Sequence, residues 1–84
     1  MTIQTSLDWE EYRRGLVKNL HDLPYNHDLW QMLRNLDLMV TRLAQAEVEA
    51  RRTRRDSRKT SEYQQLIEAI QTFERFQMLA VLYR

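Results

Sequence analysis

The chain has 84 residues, with one glycine, one proline and no cysteine. A chain this short forms one domain at most and buries only about 60–65 % of its unfolded surface. Disulfides are excluded, so close helix packing or association must supply its stability.

Charge is nearly balanced over the whole chain, 13 Lys and Arg against 12 Asp and Glu, but it is sorted by position. Residues 1–50 hold five cations against eight anions, and residues 60–84 hold two against three. Between them, Arg51-Arg52-Thr53-Arg54-Arg55-Asp56-Ser57-Arg58-Lys59 carries six positive charges and one negative. The scarcity of glycine and proline argues against a strand-rich fold, which needs many turns. The abundance of Leu, Arg, Glu, Gln, Ala and Met favours helices, giving an all-α class.

A first helix is expected over about residues 7–20. Asp8 and Glu11 have capping-box spacing, with Ser6 the competing N-cap. Trp9, Tyr12, Leu16 and Leu20 form its apolar stripe. Gly15 in mid-helix implies either a close helix crossing or a local bend. Residues 1–20 lack the continuous apolar core of a signal peptide.

Pro24 breaks the helix and pushes Leu23 toward an extended conformation. Asn26 then caps a second helix expected over about residues 27–55. Leu29, Leu33, Leu36, Val40, Leu43 and Ala50 follow the four-three spacing of a coiled-coil seam, interrupted only by Glu47. Met32, Met39 and Ala46 widen that stripe, so this helix faces more than one neighbour. Trp30 and Leu38 fall off it and imply a second contact surface. Glu47 is expected to reach solvent or to pair with Arg51 one turn on.

A turn at Asp56–Thr60 leads to a last helix over about residues 61–83, capped by Ser61 with Gln64. Tyr63, Leu66, Ile67, Ile70 and Phe73 form one face of it. From Phe76 through Leu79 to Tyr83 the sequence is apolar almost all round and must be covered on several sides. The implied architecture is one domain, residues 1–84: a short N-terminal helix beside a long antiparallel hairpin. The three-helix subunit is expected to pair into a helical-bundle homodimer. Its core or self-association residues are Leu29, Leu33, Leu36, Val40, Leu43, Leu66, Ile70, Phe73, Phe76, Leu79 and Tyr83.

Chemistry-bearing motifs are sparse. There is no nucleophile elbow, and Lys59-Thr60-Ser61 lacks the upstream glycines of a phosphate-binding loop. His21-Asp22 and His27-Asp28 flank the proline turn but match no metal-ligand spacing. Carboxylates occur without the Glu-x-x-His of di-metal bundles. Ser57 and Ser61 each follow a basic pair, as sites of basic-directed kinases do.

No catalytic residue, cofactor or metal is therefore expected. The sequence reads as a small non-enzymatic interaction or regulatory protein that self-associates through its hairpin, with a second protein as a further partner. The alternative is nucleic-acid binding at the hairpin tip, through Arg51, Arg52, Arg54, Arg55, Arg58 and Lys59. No membrane span is expected, and the lack of cysteine fits a cytoplasmic location.

Overall fold

A computed structural model describes residues 3–82. It contains three helices, α1 (Trp9–His21), α2 (His27–Arg52) and α3 (Ser61–Leu82), with 3₁₀ turns at Ser6–Asp8 and Ser57–Lys59. There is no strand among the described residues, and the fold is all-α, with a long antiparallel hairpin. Tyr83, expected on the apolar face of the last helix, lies outside the described residues.

Local chemistry explains where each helix starts. The Asp8 carboxylate accepts from the backbone N–H groups of Gln4 (3.0 Å) and Thr5 (3.2 Å). It closes the turn behind it and does not cap the helix ahead, which corrects the expected Asp8–Glu11 box. Ser6 does not cap either, because its side chain is engaged with α2. Asn26 caps α2 as expected, accepting from Asp28 N–H at 3.0 Å and Leu29 N–H at 3.2 Å. At α3 the cap lies one residue before the expected Ser61. Thr60 Oγ accepts from Tyr63 N–H at 3.3 Å while donating to the Ser57 carbonyl at 2.6 Å.

The end of α2 falls three residues short of the expected Arg55. Arg55 N–H donates to the Ala50 carbonyl at 2.7 Å and Arg54 N–H to the Arg51 carbonyl at 3.3 Å. This is the Schellman arrangement, which requires a left-handed residue just past the helix. Arg54 fills that place with φ of 57°, where glycine is usual. An L-residue there costs about 1 kcal/mol or more. Arg54→Gly should therefore raise the unfolding free energy by about 1 kcal/mol without changing helix content, measurable as a higher urea midpoint.

Packing follows the stripes. Leu29, Leu33, Leu36 and Leu43 of α2 meet Leu66, Ile70 and Phe73 of α3, all buried. Trp9, Leu16 and Leu20 bring α1 onto the same cluster. Polar contacts fix its position across both hairpin helices. Trp9 Nε1 donates to Asp37 Oδ1 at 2.8 Å, and Arg13 Nε to the same carboxylate at 2.9 Å. The Tyr12 hydroxyl donates to Glu74 on α3. Burial, reinforced by that carboxylate, pushes the Tyr12 phenol well above its ordinary pKa.

The His21 ring meets the Trp30 ring edge-on at 5.5 Å, so α1 runs antiparallel to α2 and covers half-buried Trp30. α1 thus docks on its own hairpin, giving an up-down-up bundle of 47 × 21 × 18 Å. Gly15 does not mediate a close crossing, since a Cβ built there meets nothing within 4 Å.

Candidate functional site

The bundle has two chemically opposite poles, and each follows from how the chain is built locally. At the hairpin tip, the Schellman end of α2 and the 3₁₀ turn after it present a continuous basic segment. Asp56 caps that turn by accepting from Arg58 N–H at 3.0 Å. This backbone donor, together with the Arg58 side chain, holds the Asp56 carboxyl below the usual range.

Arg51, Arg52, Arg54, Arg55, Arg58 and Lys59 are all exposed. Arg52 pairs with Glu49 at 3.5 Å and Arg58 with Asp56 at 3.3 Å, both solvent-exposed contacts of little energetic weight. Arg51, Arg54, Arg55 and Lys59 have no ion-pair partner among the described residues. The expected Glu47–Arg51 pair is not formed, because Glu47 turns inward.

Unpaired cations at this density suit contact with phosphates, a term that carries no sequence information. Base stacking would need exposed aromatics. The nearest, Tyr63, is half-buried, and its hydroxyl donates to the Ile3 carbonyl at 2.6 Å. Behind the tip runs an open groove lined by Arg42, Glu49, Thr53, Arg55, Thr60 and Glu62. Its charges are of mixed sign, so it does not focus a field on one kind of ion.

The opposite pole is apolar. Beyond Arg75, α3 leaves Phe76 51 %, Met78 65 %, Leu79 46 %, Val81 48 % and Leu82 70 % exposed. Tyr25, in the loop before α2, is also exposed. Phe76 and Leu79 are thus not core residues of the single subunit, because α1 and α2 cover only the face that carries Phe73. Val40 is half-buried at the edge of the core. Leu38 on α2 is exposed, away from the helix that covers Trp30.

Two polar residues sit inside. Glu47 is 5 % exposed, and its carboxylate accepts from Ser6 N–H at 2.8 Å and from the Ser6 hydroxyl. Glu47 is conspicuous in sequence as an acid in an apolar seam, but nothing local points to a partner 41 positions away. Gln77 is 9 % exposed, and its Nε2 has no hydrogen-bond partner among the described residues. Its spacing of seven from Ile70 is the available signal that it faces inward.

Among the described residues, no group of three His, Asp or Glu stands close enough to hold a metal ion. Among them too, no helix is long and apolar enough to cross a membrane. His27 Nδ1 lies 3.4 Å from the Tyr25 hydroxyl, a contact within the loop. Compared with known protein families, with characterised proteins and with solved structures, the chain matches none.

Proposed function

We propose that this is a small non-enzymatic interaction protein that pairs with a second copy of itself through the last turns of α3. One observation carries the reading: the seam is filled within the subunit, while Phe76, Met78, Leu79, Val81 and Leu82 stay open to solvent. At roughly 100 Å² for each half-exposed side chain, these five offer about 500 Å² of apolar surface, near the upper limit for a monomer. These side chains are spread round the helix, so an isologous contact buries part of that surface from each copy, the size of a small interface.

The charge distribution favours the same geometry. Pairing at the apolar pole keeps the two basic tips apart, whereas side-by-side pairing would bring like charges together. A reducing cytoplasmic location fits the cysteine-free chain.

Sedimentation equilibrium at micromolar concentration tests the reading. Wild-type protein should weigh as a dimer. Phe76→Glu combined with Leu79→Glu should weigh as a monomer with unchanged helical content, because those side chains touch water in the subunit. A wild-type protein that remains monomeric would refute it.

A second reading, nucleic-acid binding at the tip, is favoured by the four cations that lack ion pairs among the described residues. Under it, Arg51→Gln, Arg54→Gln and Arg55→Gln together would flatten the salt dependence of duplex binding. The slope should fall by up to about 0.9 for each phosphate that is no longer neutralised.

A further inference from the structure

Residues 3–8 form a strap that leaves the start of α1 and runs along the hairpin toward the tip. Three contacts hold it. Ile3 is 3 % exposed and joins the apolar cluster. Tyr63 Oη donates to the Ile3 carbonyl at 2.6 Å. Ser6 gives both its N–H and its hydroxyl to the buried Glu47 carboxylate. The last contact is electrostatically unusual. Glu47 is an interior anion that no cation neutralises among the described residues, since its only partners are the two donors of Ser6. A buried carboxylate is costly unless its donors stay in place.

We propose that Ser6 is a phosphorylation-sensitive latch, and that a phosphoryl group on its hydroxyl detaches the strap from the hairpin. In the reaction a protein kinase transfers the γ-phosphoryl of ATP. The Ser6 Oγ–P bond forms, the bond from the β–γ bridging oxygen to the γ-phosphorus breaks, ADP leaves, and the hydroxyl proton passes to a base of the kinase. The product removes the O–H that Glu47 accepts. It also sets a charge of about −1.5 to −2 against an anion that has no counter-ion, where the low dielectric magnifies repulsion.

Opening is confined to the strap. Trp9 remains held by Asp37 and by the core, so the hinge lies at Asp8–Trp9. What opening uncovers is Tyr63 and the part of the apolar cluster beneath Ile3, close to the unpaired cations of the tip. Ser6 is half-buried beside Leu7, which is 84 % exposed, so the strap is the outermost layer of the fold. Ser57 and Ser61, which follow basic pairs, lack this leverage. The Ser61 hydroxyl donates to its neighbour Glu62, and Ser57 bonds through its carbonyl to Thr60.

The test installs phosphoserine at position 6 of the full chain and follows backbone amide exchange. The Ser6 amide should exchange about 100-fold faster than in wild type, with the amides of α2 and α3 unchanged. Ser6→Ala, which keeps the N–H donor, should accelerate it only about tenfold. Adding Glu47→Gln to the phosphorylated chain should restore at least about tenfold of the protection, since the amide donates where the carboxylate repels. Exchange within about twofold of wild type in the phosphorylated chain would overturn the proposal. So would a failure of Glu47→Gln to restore protection, which would assign the opening to bulk alone.

Discussion

Phe73→Ala should lower the unfolding free energy by about 3–5 kcal/mol, the range for removing a fully buried aromatic side chain. Phe73 is 0 % exposed and sits where α2 and α3 meet, among Leu33, Leu36, Leu66 and Ile70. Truncation leaves a cavity that rigid neighbouring helices cannot collapse into. For a domain of this size, with total stability of about 5–15 kcal/mol at most, the loss is a large share of the whole.

Phe76→Ala on the same helix is the control. Phe76 is 51 % exposed, so at concentrations too dilute for pairing its removal should cost well under about 1 kcal/mol. Urea unfolding followed by circular dichroism separates the two. Equal losses would mean that α3 is rotated from the arrangement described.

Trp9→Ala should cost about 3 kcal/mol and free α1 from the hairpin. Trp9 is 6 % exposed, and its indole N–H donates to Asp37, which also accepts from Arg13 Nε at 2.9 Å. Trp9→Phe keeps most of the apolar contact and loses that donor, so it should cost only about 1 kcal/mol. The Arg13–Asp37 pair is too exposed to hold the helix by itself, at 41 % and 36 % side-chain exposure. In Trp9→Ala the amides of α1 should exchange early while those of Leu43 and Leu66 remain protected. Simultaneous loss of all three helices would show that the hairpin does not stand without α1.

Much of this architecture is legible in the sequence, and the parts that are not have identifiable causes. The seam from Leu29 to Leu43 is visible because burial at helical spacing is a local, repeating signal. Asn26 is visible because it is the first good cap after the helix-breaking Pro24, with Asp28 falling in the first turn that follows. The end of α2 is hidden because its left-handed position holds Arg54 rather than glycine, so the sequence offers no stop signal. The strap is hidden because its anchors, Ser6 to Glu47 and Ile3 to Tyr63, are 41 and 60 positions apart.

Glu47 shows the difference most clearly. Its place in the seam marks it as anomalous, and an exposed pair with Arg51 is the local solution. The structure instead supplies a non-local partner that returns from the N-terminal side. Phe76 and Leu79 mark the opposite limit. An all-round apolar helix end calls for a cover, but periodicity does not say whether the cover comes from the same chain. The tip charges are legible one by one. Which of them lack a counter-ion depends on side-chain geometry at Glu49 and Asp56, which the sequence leaves open.

Central to all of this is a subunit whose helices close on each other within one chain, with the far end of α3 as the proposed place of contact with a second copy. An isotope-filtered NOE experiment on an equal mixture of labelled and unlabelled protein separates contacts within a chain from contacts between chains. Contacts of Trp9 with α2, of His21 with Trp30 and of Leu33 with Phe73 should all be intrachain, and interchain signals should come only from the Phe76–Leu82 region. Interchain signals along the Leu33–Phe73 seam, or none anywhere at micromolar concentration, would contradict that arrangement.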